Sequence, residues 1–152
     1  MKKLCILLAI ITLLSCCLIG CSNSNQVTER TERLFTISDF ESMARSRARQ
    51  VIANKLLNPS SYQENSFIRC YSETDNKYHG FDIGYIYIAA LVDYSAQNRM
   101  GGYERKTEIV FFGVLASKLE EPYSDNPYIL SEISESSVPN RIKANCLEYF
   151  GL

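Results

Sequence analysis

Apolar and polar positions divide the chain into stretches of different character. After Lys2 and Lys3 comes a run, residues 4–20, that is apolar almost throughout, and residues 22–33 then hold a single aliphatic side chain, Val27. From there the pattern turns periodic. Phe40, Ala44, Ala48, Val51, Ile52 and Leu56 recur at helical spacing, which predicts an amphipathic helix over 38–57 with Arg45, Arg49 and Lys55 off its apolar stripe. Ser38 and Glu41 stand three apart, as in a capping box, and Asn58-Pro59 stops the helix because a proline ring disfavours helical geometry before it.

Beyond Ser61 the period shortens. Residues 63–72 read as a first strand, 73–80 as a polar loop, and 81–94 as a long central strand rich in tyrosine, isoleucine and valine. Alternation puts Tyr85, Tyr87, Ala89 and Leu91 on one face and Ile86, Ile88, Ala90 and Val92 on the other. Gly101-Gly102 suits a reversing loop, after which 103–115 returns as a third strand. Residues 128–133 read as a short edge strand or a turn of helix. Pro139 opens a C-terminal helix with Ile142, Cys146, Tyr149 and Phe150 inward and Gly151 at its end. The expected fold class is α+β: an N-terminal helix, an antiparallel meander of three to four strands and a short C-terminal helix, with the helices on one face of the sheet.

The opening segment has its own chemistry. Two lysines, an apolar run at the short limit for a membrane span, and Leu18-Ile19-Gly20-Cys21 resemble the signal peptide and lipobox of bacterial lipoproteins. That resemblance implies diacylglycerol, with palmitate-type acyl chains, on the Cys21 sulfur and cleavage before it. The chain then divides into a leader (1–20), a lipidated tether (21–36) and one domain (37–152). Two or three acyl chains, at about 0.8 kcal/mol per buried methylene, hold a protein where one is marginal. The expected location is the cell membrane or outer membrane, with the domain outside the cytoplasm. Two further strings, Leu56-Leu57-Asn58-Pro59-Ser60-Ser61 and the hairpin segment through Asn98, Gly101, Gly102 and Tyr103, resemble a group of small bacterial exported proteins. That likeness implies the helix-plus-meander fold and no activity.

Charge and cysteine content narrow the picture. Of 16 basic and 17 acidic residues, Lys2 and Lys3 leave with the leader, so the mature chain has a net charge of −3, which argues against nucleic acid as a partner. Of the 6 cysteines, Cys5, Cys16 and Cys17 also leave and Cys21 takes lipid. Cys70 and Cys146 remain, an even pair in an exported protein, and are expected to form a disulfide contributing ~4 kcal/mol. Two cysteines and one histidine fall short of a metal site, and no cofactor is expected.

Candidate chemistry is sparse. His79 lies in a polar loop, and Asp82, Asp93, Glu104 and Glu108 are the carboxylates that an acid–base pair would draw on, although Asp93 with Asn98 also suits a hairpin cap. Arg45, Arg47 and Arg49 offer charge to anionic headgroups, or simply a solvated helix face with Arg47 lying along the core edge. The 10 tyrosines are more suggestive: Tyr71, Tyr85, Tyr87 and Tyr103 are expected to share a sheet face, left open for a ligand if the first helix packs on the Ile86/Ile88 side. The sequence therefore points to a monomeric, non-enzymatic lipoprotein binding an envelope protein or glycan. A small carboxylate-dependent envelope hydrolase, or an exclusion or immunity lipoprotein of a mobile element, is the alternative.

Overall fold

The computed structural model describes residues 33–77 and 83–152. Helix α1 (Ile37–Lys55) begins two residues earlier than the Ser38 signal suggested. Thr36 is the N-cap: its hydroxyl accepts from the Asp39 amide at 3.3 Å, while the Asp39 carboxylate accepts from the Thr36 amide at 2.8 Å. Arg33 grips that carboxylate with two bonds of 2.7 Å and lies over the Tyr123 ring. The capping box is thus Thr36/Asp39, chosen because Asp39 also has a guanidinium to bind.

Five strands follow. β1 (Gln63–Glu64) and β2 (Arg69–Asp75) both pair with β3 (Tyr85–Gln97), which pairs along its whole length with β4 (Tyr103–Leu115). β5 (Ser131–Ile133) pairs with β4 at Phe111–Gly113 only. All pairings are antiparallel. The single strand expected over 63–72 is interrupted at 65–68, where Asn65 donates its amide to the Asp93 carbonyl at 2.9 Å, and β2 runs on into the stretch expected as loop.

The two faces of β3 sort as alternation predicts, yet both are covered. Ile86, Ile88, Ala90, Val92 and Phe112 pack with Phe40, Ala44, Ala48 and Ile52 of α1. Tyr85, Tyr87, Ala89, Leu91 and Phe111 pack with Ile142, Cys146 and Phe150 of α2 (Asn140–Phe150). The sheet is therefore sandwiched, which corrects the expectation of helices on one face. Each large apolar side chain so enclosed contributes about 1.5–3 kcal/mol. Gly151, at φ 74°, closes α2 with bonds from its own amide and that of Leu152 to the carbonyls of Glu148 and Leu147. Tyr149, expected inward, is exposed.

The sandwich also decides the cysteines. Cys70 on β2 points to the α1 side, Cys146 on α2 fills the opposite core, and both are buried free thiols. With the sheet between them, the expected disulfide does not form. Burial pushes both thiols up to about 11.

Candidate functional site

The burial of β3 changes character part-way along. From Tyr85 to Val92 every residue is buried; from Asp93 to Gln97 only alternate residues are, because α2 no longer covers that face. In β4 the corresponding residues, 103–107, are all exposed. The far half of the β3–β4 hairpin thus projects beyond the sandwich with one face resting on the α1 core and the other open.

The open face is organised around Asp93. Arg105, diagonally opposite on β4, donates to its carboxylate from Nε at 3.0 Å and from an η nitrogen at 2.5 Å. Asn65 and Ser66 donate from the interrupted strand at 3.2 and 3.5 Å, and the Ser95 hydroxyl donates to Asn65 Oδ1 at 3.0 Å. The Arg105 bonds, helped by Asn65, lower Asp93 to about 2, so it stays a carboxylate at any ordinary pH. Sequence reasoning noticed Asp93 but not Arg105, because the pairing depends on a register that only the folded hairpin defines.

The tip is built by Asn98, not by Asp93. Asn98 Oδ1 accepts from the Met100 and Gly102 amides at 3.0 Å each, its amide donates to the Gly102 carbonyl at 2.8 Å, and its Nδ2 donates to Glu104 at 2.9 Å. Gly101 supplies the φ of 84° that the turn requires. This frame holds Met100 outward, 94% exposed. The tip lies a full 13-residue strand from Tyr85, a span of about 40 Å. Arg33, the first described residue, lies by contrast beside the segment that leaves the other end of β4, its carbonyl accepting from the Tyr123 amide.

Among the described residues, β4 is open along most of its outer side. β5 occupies that side only opposite Phe111–Gly113, and no described strand pairs there with residues 103–110. Beside this edge, mainly on the α2 side, is a groove of about 400 Å³ bounded by Ile109, Phe111, Glu135, Lys143 and Leu147, with Thr107 and Glu108 also lining it.

The tyrosine face expected from sequence is not a surface. Tyr85 and Tyr87 are only 6% and 4% exposed beneath α2, their rings edge to face at 5.0 Å. Tyr71 is half-buried, its ring 5.3 Å from that of Tyr149, and its hydroxyl donates to Glu73 at 2.5 Å. Burial, with Glu73 next to it, raises Tyr71 to about 12. Tyr103 alone is exposed, at the far end of the hairpin. Glu73 itself accepts from Asn145 and pairs with Arg141, docking α2 against β2; burial works against its charge, and these bonds outweigh it and lower its pKa.

The other candidates disperse. Glu108 and Glu104 point to the α1 side, opposite Val92 and Ala96, whereas Asp93 points to the α2 side. Glu108 pairs with Lys55 at 3.1 Å and accepts from Tyr94 at 3.4 Å. Cys21, His79 and Asp82 lie outside the described residues. Among the described residues, no three histidine, cysteine or acidic side chains group as metal ligands, and no helix is long and apolar enough to cross a membrane. Arg47 lies over the Tyr128 ring, Arg45 over Phe67, and Arg49 pairs with Glu64 at 2.6 Å.

No family model, curated protein or solved structure matches this chain. The geometry stands without a relative to interpret it.

Proposed function

We propose that the chain is a bacterial lipoprotein, held at a membrane through acyl chains on Cys21, whose domain acts by binding an envelope protein or glycan and not by catalysis. The observation that carries this reading is the opposition of two ends. The tether would join at Arg33, beside the segment that follows Leu115 of β4, while the Asn98 turn presents Met100 at the opposite end of that strand, which is about 40 Å long. A domain tethered at one end and armed at the other is suited to reach outward from a lipid surface. The state of the carboxylates favours binding over hydrolysis. Asp93 is fixed as an anion by Arg105 and so is not poised to shuttle protons near neutral pH, and Glu108 is tied to Lys55 at 3.1 Å.

Detergent phase partition of the exported chain tests the anchor. The native protein should enter the detergent phase and incorporate labelled palmitate, and Cys21→Ser should do neither. A native protein that stays aqueous and unlabelled refutes the anchor. Turnover of an envelope substrate by the purified protein, abolished in Asp93→Asn, refutes the binding reading.

A further inference from the structure

We propose that the outer edge of β4, residues 103–110, receives an extended peptide segment of a partner protein as an added antiparallel strand, in line with β5. The proposal deepens the binding reading above and rests on it in placing the partner at the projecting half of the hairpin. It does not depend on the lipid anchor.

Three features converge on this edge. The first is its main chain: β3 satisfies one side of β4 throughout, and β5 satisfies the other side for three residues only. Past that point, every second residue of 103–110 turns its N–H and C=O outward. β5 ends at Ile133, opposite Phe111, and the chain turns away through Glu135–Ser137, so the lane beside Ile109 is clear of described strands. An incoming strand would continue β5 and bond to main-chain groups whatever its sequence.

The second feature is charge. Glu104, Lys106 and Glu108 stand on one face of the edge with alternating sign, and a partner strand would share Glu108 with Lys55, which meets it at 3.1 Å, and Glu104 with Asn98, which donates to it at 2.9 Å. A run of one sign would accept any strand of opposite charge in any register; alternation instead selects a partner bearing the inverse pattern in register. The internal contact that Lys106 makes, 3.7 Å from Glu104 with both side chains about half-exposed, is of a kind worth little in water and open to exchange.

The third is the groove. A residue opposite Ile109 would point to the α2 side, into the space of about 400 Å³ floored by Ile109 and Phe111 and walled by Leu147, with Lys143 and Glu135 at its rim. That space admits an apolar side chain of leucine or phenylalanine size with room to spare, and a side chain seated on Ile109 and Phe111 would set the register that the charges then read.

The probe is the peptide Leu-Lys-Thr-Glu-Tyr-Lys-Val, written so that its leucine meets Ile109 and its charges invert those of Glu108, Lys106 and Glu104. The control is Leu-Glu-Thr-Lys-Tyr-Glu-Val. With the full chain in detergent micelles, the probe should slow hydrogen exchange at the outward amides of 103–110 at least tenfold and bind at least tenfold tighter than the control. Lys106→Glu should narrow or reverse that preference. Lys106→Pro and Thr107→Pro distinguish main-chain pairing from charge alone, since successive residues aim their N–H groups to opposite sides. The proline that leaves the melting temperature nearly unchanged should cost the probe at least tenfold in affinity. Equal binding of the two peptides, exchange protection elsewhere, or an outward proline that binds like the parent overturns the proposal. So does concentration-dependent protection of 103–110 without peptide, which would assign the edge to a second copy. Failure of any of these leaves the partition of Cys21→Ser unaffected, so the two readings fall separately.

Discussion

Replacing Gly113 by alanine places a methyl group inside the ring of Tyr85. A Cβ built at Gly113 lies 2.2 Å from Tyr85 Cε1, 2.3 Å from its hydroxyl oxygen and 2.5 Å from Cζ, where ordinary contacts begin near 3.4 Å. The ring must therefore retreat by more than an ångström. It has little room to do so: it is 6% exposed and meets the Tyr87 ring edge to face at 5.0 Å, with α2 packed above. Overpacking of this kind costs about 1–3 kcal/mol, and we expect about 2–3 because the neighbour is a buried aromatic and not a flexible chain. For a domain of this size that lowers the melting temperature by roughly 10 °C. Urea denaturation of residues 22–152 is the assay, completed as a double-mutant cycle with Tyr85→Ala. Tyr85→Ala alone should cost about 3–5 kcal/mol, and adding Gly113→Ala to it should cost almost nothing more, since the clashing ring is gone. Losses that simply add, or a Gly113→Ala cost under about 0.5 kcal/mol, refute the claim that this glycine exists to seat the ring.

Three further outcomes follow from the same geometry. Asp93 titrates at about 2 when folded, against about 3.9 in an unfolded chain, so its stabilising effect is complete above pH 4 and is lost as pH falls towards 2. Asp93→Asn should flatten that part of a stability–pH curve, with the remaining slope owed to Asp39, Glu64 and Glu73, whose carboxylates are also held below their usual range. A chain of residues 22–152 should titrate two thiols when denatured and react slowly when native, and reductant should leave its melting temperature unchanged; one disulfide and no thiols would contradict the buried placement of Cys70 and Cys146. Asn98→Ala should destabilise by about 1–2 kcal/mol, read by urea denaturation, because the Met100 and Gly102 amides lose their shared acceptor.

What the sequence revealed and what it hid divide along a physical line. The β3 faces and the bounds of β4 were legible because alternation is a local property, and Tyr103–Leu115 matched residue for residue. The start of α1 moved because Ser38/Glu41 and Thr36/Asp39 both satisfy the spacing, and only the folded chain brings Arg33 onto Asp39. The tyrosine face was misjudged because period alone shows which residues share a face and not what covers it. A helix at the far end of the chain decided that. The disulfide failed for the same reason: an even number of cysteines says nothing of which side of a sheet each takes. Of the site, Asn98 and the glycines were visible as turn chemistry, whereas the Arg105–Asp93 pair and the open β4 edge depend on strand order.

The covering of the second face by α2 has a consequence in time. Ile142, Cys146 and Phe150 belong to the last eleven-residue helix, and they close the layer over Tyr85, Tyr87 and Phe111. In synthesis those residues follow β3 and β4. The aromatic face of the sheet then stays uncovered until α2 has followed the strands it packs on. The order of residues along the chain thus sets a schedule, in which the strands are made before the helix that covers this face.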